Sequence, residues 1–137
     1  TLDGPRFRLS DHRGKIVVVD FWATWCGPCV QTMPQIVRAV EKHQDRKVIL
    51  LAVNLQETPK AINAMLARLN LKTTVALDRD GIVVEKYAAT TIPQTVIIDA
   101  SGNVARLFVG DGQQYVDQVR EALQTAVAPA TGGGTSP

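Results

Sequence analysis

The chain has 137 residues, 45% of them apolar and 20% charged, which is one domain's worth of chain with enough apolar side chains for a single core. A formal charge of +2 is too small, and the lysines and arginines too dispersed, to make nucleic acid or an anionic membrane the expected partner. The longest apolar runs, residues 16–19 and 48–53, are strand-sized and far short of a membrane span.

Residues 6–9 read as a short edge strand and residues 10–14 as a polar turn in which His12 is solvated. Residues 15–21 are rich in β-branched side chains and predict a buried strand of the kind found in parallel sheets. From Cys29 onward, Val30, Met33, Val37 and Val40 recur at helical spacing with Ile36 beside them, and Pro34 should kink that helix without ending it. His43, near its end, suits the negative end of the helix dipole. A second continuous apolar strand at 48–54 completes a strand–helix–strand unit long enough for a parallel crossover.

Thr58 is a plausible N-cap and Pro59 a first-turn residue for a helix whose inner face is Ile62, Met65, Leu66 and Leu69. Met33 and Met65 read as core filler. Residues 74–77 form a short strand, 78–81 a turn, and 82–87 one or two helical turns. Residues 95–99, a turn at 101–103 and residues 104–109 form a β-hairpin that adds an antiparallel edge. The last helix covers 113–127, with Tyr115, Val119, Ala122, Leu123 and Ala126 inward. Tyr87 and Tyr115 are assigned to packing. The expected domain is 1–128, followed by a flexible Gly/Thr/Pro tail at 129–137. The chain opens on Thr1 without a signal-peptide pattern, so the expectation is a trimmed fragment whose targeting information has been removed.

The only two cysteines, Cys26 and Cys29, sit between the first strand and the first helix, in Trp25-Cys26-Gly27-Pro28-Cys29. Unpaired N–H groups and the macrodipole at a helix N-terminus lower a thiol's pKa, and only the thiolate attacks a disulfide. Cys26, just before the helix, is therefore the candidate nucleophile and should be solvent-accessible. Cys29, one turn on and more sheltered, is placed to resolve the mixed disulfide. Two blander readings compete. A structural disulfide closing so short a loop would constrain the unfolded chain little. A zinc site lacks ligands, since His12 and His43 are single residues without the paired spacing of a metal finger. Trp25 beside the nucleophile would cover the disulfide and offer apolar contact, and Trp22 on the strand should be core.

The run from Asp20 through Cys29, the helix proline Pro34, Ile92-Pro93 before a strand and the closing hairpin and helix resemble the thioredoxin family over residues 5–127. The implied fold is α/β, a central mixed sheet flanked by helices. The segment between Asn54 and Pro93 holds a helix and a short strand beyond thioredoxin, which, with residues 14–19 and 21–26, resembles the TlpA/ResA branch. That resemblance implies a cis Ile92-Pro93 bond beside the cysteines, with the Ile92 backbone free to pair with an extended substrate peptide. An ordinary trans proline leading the strand is the alternative.

Asp20 matches the buried aspartate of thioredoxin, which would accept the proton of Cys29, with burial raising its pKa toward the working pH. Thioredoxin's accompanying lysine is missing, and its place on the next strand falls at Ala52. Glu57 resembles the active-site glutamate of ResA-like proteins, and reads equally as a solvated acid at a helix start. The substrate surface implied by the resemblance is Trp25, Gly27, Pro28, Ile92 and Pro93.

The function implied is thiol-disulfide exchange through Cys26 and Cys29, in the reducing direction, on a disulfide-containing protein. A thiol electron donor would recycle the pair, no bound cofactor or metal is needed, and the chain is expected to be a monomer. Gly27-Pro28 is the dipeptide of thioredoxin, whose couple lies at about −270 mV and whose nucleophile pKa is about 7. Rival readings are a thioredoxin-fold module that binds a partner protein or a metal without turnover, and an oxidase or isomerase sharing the mechanism. Proteins of this branch are extracytoplasmic, in the periplasm or cell envelope, often with a membrane anchor, which here would lie outside the chain.

Overall fold

The computed structural model describes residues 1–2, 4, 6–78, 81–86, 91–110 and 112–127. Its frame is a five-stranded sheet in the order β3-β2-β1-β4-β5. β1 (Ile16–Trp22), β2 (Val48–Leu55) and β3 (Thr74–Asp78) run parallel, whereas β4 (Gln94–Ile98) is antiparallel to β1 and β5 (Val104–Val109) antiparallel to β4.

β1 sits at the centre and is buried on both faces, which is why its sequence is a continuous apolar run without polar alternation. The period of two still sorts its side chains. Val18 joins the cluster beneath α1 (Gly27–Glu41) and α4 (Gly112–Ala126), and Trp22 joins the cluster under α1 and α2 (Pro59–Leu69). Val17, Val19 and Phe21 face the other way, where Phe7 and Leu9 from the N-terminal segment pack against them. All three long helices thus cover one face of the sheet.

α1 passes through Pro34 without a break, carrying Met33, Ile36, Val37 and Val40 into the core as expected, while Val30 is only half-buried. α2 begins at Pro59 behind Thr58, whose hydroxyl accepts from Ala61 N at 3.3 Å, and ends at Asn70 in the left-handed region with φ of 52°. Ile62 and Leu66 are buried and Met65 and Leu69 half-buried on its inner face. This helix and β3 are the additional elements expected between the two halves of the fold. α3 (Ile82–Lys86) is one short turn of helix, and Tyr87 lies outside the described residues, as does the expected tail. The β4–β5 hairpin turns where Asp99 Oδ1 accepts from Ser101 N and Asn103 N, each at 3.0 Å, with Gly102 at φ +90°.

Three expectations need correction. Residues 6–9 are not a strand: the alternating Phe7 and Leu9 lie over the back of the sheet without joining its ladder, and Leu9–His12 forms a 3-10 turn. His12 is not a solvated turn residue, because its ring stacks on Phe7 at 4.4 Å between centroids. Ala126 is exposed at the end of α4, and Val116, absent from the expected inner face, is fully buried there. Among the described residues no helix is long and apolar enough to cross a membrane.

Candidate active site

The site forms where β1 ends. Trp22 is the last residue of the strand, Ala23 to Trp25 turn the chain, and Cys26 N donates to Ala23 O at 3.2 Å before α1 starts at Gly27. Cys26 is the N-cap of α1. Its sulfur accepts from Cys29 N at 3.2 Å, and its carbonyl takes the first helical bond, from Val30 N at 3.1 Å. Cys26 and Cys29 form a disulfide, their Cα atoms 5.2 Å apart. The relative order of exposure is the expected one, 6% for Cys26 against 1% for Cys29, but Cys26 is more enclosed than the sequence suggested. Its sulfur is turned back toward the first turn of α1, into a cluster with Trp22, Ala23 and Met33.

Around this buried pair lies an open surface. Trp25 is 70% exposed, Gly27 is exposed, and Pro28 is half-buried. Pro93 is buried and follows a cis peptide bond from Ile92, which packs against the same cluster that holds both cysteines. The five residues expected to meet substrate thus include a large exposed aromatic ring beside Cys26 and the cis-proline segment at the cysteine cluster.

Asp20 lies between Val18 and Trp22 on the face that α1 covers, 2% exposed. Burial alone pushes its carboxyl from the usual 3.8 up to about 7. Its neighbour on β2 in register is Ala52, so no cation stands beside it there. On β4 its partner is Thr95. Thr95 Oγ1 is hydrogen-bonded to the hydroxyl of Tyr115 from α4, and both residues are buried.

Glu57 is not a solvated acid. Its carboxylate accepts from Thr24 N at 2.7 Å, from the Thr24 hydroxyl, and from Asn54 Nδ2 at 2.8 Å, while its own N–H donates to Asn54 Oδ1 at 3.2 Å. It therefore ties the end of β2 to the loop that carries the cysteines. Gln56, at φ 60°, supplies the left-handed step that turns the chain there. Thr24, Asn54 and Thr95 are polar members of the site that the sequence did not single out, and Tyr115 was assigned to packing alone. Thr24, Thr95 and Tyr115 meet their partners only through tertiary contact, whereas Asn54 bonds Glu57 three residues on. Among the described residues no three His, Cys, Asp or Glu side chains gather as a metal site would require.

The profile of the Redoxin family matches residues 1–123. The chain belongs to the Redoxin family. It is 32% identical over 123 residues to the thiol-disulfide oxidoreductase ResA of Bacillus thuringiensis subsp. konkukian, covering 90% of this chain and 70% of that protein. With ResA of Geobacillus thermodenitrificans it shares 32% identity over 124 residues, 87% of this chain and 71% of the relative. A solved structure from Chlorobium tepidum, proposed to be a thiol:disulfide interchange protein DsbE, superposes with a TM-score of 0.82 at 31% identity, covering 88% and 85% of the two chains. A second structure from Chlorobium tepidum TLS, a thiol:disulfide interchange protein of the thioredoxin family, gives 0.75 at 25% identity, covering 93% and 90%. The fold is thus thioredoxin-like and of the TlpA/ResA type, and the Redoxin-family protein described here is a thiol-disulfide oxidoreductase.

Proposed function

We propose that this oxidoreductase reduces disulfides in proteins, with Cys26 as nucleophile and Cys29 as resolving thiol. The observation that carries the reading is the position of Cys26 as N-cap of α1, where the helix N–H groups favour a thiolate. In the reduced enzyme the Cys26 thiolate attacks one sulfur of the substrate disulfide, forming a mixed disulfide and expelling the other sulfur as a thiolate. Cys29 gives its proton to Asp20, and the Cys29 thiolate attacks Cys26 Sγ. The Cys26–Cys29 disulfide forms and the second substrate sulfur departs as a thiolate. Two electrons pass to the substrate, whose thiolates take up protons, and an external dithiol restores the enzyme pair.

Asp20 suits that step because a carboxyl titrating at about 7 can gain and lose a proton near neutral pH. Glu57 takes a different part. With three donors already on its carboxylate, it positions the Thr24 loop and does not itself move the proton. Trp25, Gly27 and Pro28 give the substrate an apolar landing beside Cys26, and the Ile92-Pro93 segment offers backbone to an extended peptide. The partners are a disulfide-containing protein and a thiol donor, with the enzyme acting as a monomer outside the cytoplasm, in keeping with its resemblance to the TlpA/ResA branch.

Insulin reduction by dithiothreitol tests the activity. Wild-type protein should accelerate precipitation of the insulin B chain and Cys26→Ser should not, whereas a wild type without effect would overturn the reading. A glutathione titration tests direction. Half-oxidation in strongly reducing mixtures supports a reductase, and half-oxidation only in oxidising mixtures would make the protein an oxidase.

A further inference from the structure

The missing lysine leaves a question of what stands beside Asp20 in its place. Strand register gives the answer on one side. Asp20 and Thr95 are directly opposed across the antiparallel β1–β4 pair, so their side chains leave the same face with Cβ atoms about 5 Å apart. Thr95 is fully buried and its hydroxyl is bonded to that of Tyr115, itself 3% exposed in the first turn of α4.

Two hydroxyls carry two protons between them. A bond between Thr95 and Tyr115 uses one proton and leaves the other to donate elsewhere, in an interior where an unmade hydrogen bond is costly. The ionised carboxylate of Asp20, an acceptor-only group on the same face, can take it. Of the groups around Asp20, β2 presents Ala52, and the buried Thr32 hydroxyl of α1 already donates to Pro28 O at 3.0 Å. Trp22 Nε1, two residues along the same face of β1, is buried without a partner among the described residues. The hydroxyl pair is thus the buried polar group directly across the strand pair from Asp20. The phenol registers this neighbourhood as well. Burial chiefly, and then the charge of Asp20, push its proton affinity up, and the bond with Thr95 opposes them.

We propose that the buried Thr95–Tyr115 hydroxyl pair is the positioning device for Asp20, holding its carboxylate for the proton of Cys29 from the β4 side of β1 while the β2 side carries only Ala52. The spare proton of the pair can be donated to the carboxylate once it ionises and a lone pair can accept from the carboxylic acid, whereas in the oxidised structure burial is the cause of the raised proton affinity of Asp20. Tyr115 belongs to the core cluster under α1 and α4, separate from the cluster that holds the two cysteines. The inference rests on the assignment of Asp20 as proton acceptor, and the experiment separates the two claims.

The test is a 13C-carboxyl NMR titration of Asp20 in the oxidised protein, where the disulfide removes thiol titration, with Asp20→Asn identifying the signal. Thr95→Val should raise the Asp20 midpoint by about one pH unit, a tenfold change in proton affinity. Tyr115→Phe should move it in the same direction by less, and Thr95→Ser, which keeps the hydroxyl, should return it to the wild-type value. Unchanged or lowered midpoints in both Thr95→Val and Tyr115→Phe would overturn the proposal. So would a Thr95→Ser midpoint as high as that of Thr95→Val, which would mark a packing effect. If Tyr115→Phe does not fold, the Thr95 variants decide alone. The role of Asp20 stands or falls separately, on whether Asp20→Asn slows disulfide exchange near neutral pH.

Discussion

Removing the charge of Asp20 should make the oxidised protein more stable at alkaline pH and hardly change it in acid. In the unfolded chain this carboxyl loses its proton near 3.8, whereas in the folded protein burial holds the proton to about 7. Between those values the folded state binds more protons than the unfolded one, so stability is fully present below about 3.8, falls as pH rises, and levels off above about 7. At about 1.4 kcal/mol per pH unit the interval corresponds to a ceiling of about 4 kcal/mol, a large share of the total stability of a small domain. Asp20→Asn keeps the shape and loses the titration. Urea unfolding of both proteins at half-unit steps from pH 4 to pH 9, without reductant, should give curves that diverge up to about pH 7, run parallel above it, and are separated at pH 8 by about 2 to 4 kcal/mol more than at pH 4. Curves parallel over the whole range would refute the claim that Asp20 is held neutral by burial, and with it the proton acceptor.

Glu57→Gln replaces an acceptor oxygen by a donor facing Thr24 or Asn54, and should cost about 1 to 2 kcal/mol in urea unfolding while speeding alkylation of the reduced cysteines. Thr58→Ala removes the cap of α2 and should cost about 1 kcal/mol, with insulin reduction at the wild-type rate. Trp25→Ala, at a largely exposed position, should leave stability within about 0.5 kcal/mol and raise KM for insulin several-fold, whereas reduction of a small aromatic disulfide should be little affected. Equal losses on both substrates would argue that the indole acts on Cys26 and not on the protein substrate.

Features encoded in short stretches of chain were legible before the structure. The Val17 to Val19 run could only be a strand buried on both faces, and the spacing of Met33, Val37 and Val40 carried α1 past Pro34. The same local signals put Cys26 at a helix start. What escaped notice depended on partners far along the chain. Thr24 and Glu57 are 33 residues apart, and Thr95 and Tyr115 are 20 apart, so no periodicity could announce either bond. Phe7 and Leu9 illustrate the opposite error: alternation at this spacing suits a strand, but with β3 and β5 at the sheet edges the segment lies across a face instead. Ala52, which the resemblance places where thioredoxin has its lysine, is the β2 register partner of Asp20.

The central claim is that Cys26 attacks and Cys29 resolves. Reduced Cys29→Ser and Cys26→Ser proteins, each incubated with a disulfide-containing protein and analysed by intact mass after acid quenching, test it directly. A covalent adduct that accumulates on Cys26 in Cys29→Ser, with none in Cys26→Ser over the same time, is the predicted result. Equal adducts in the two variants, or none in either, would contradict the account.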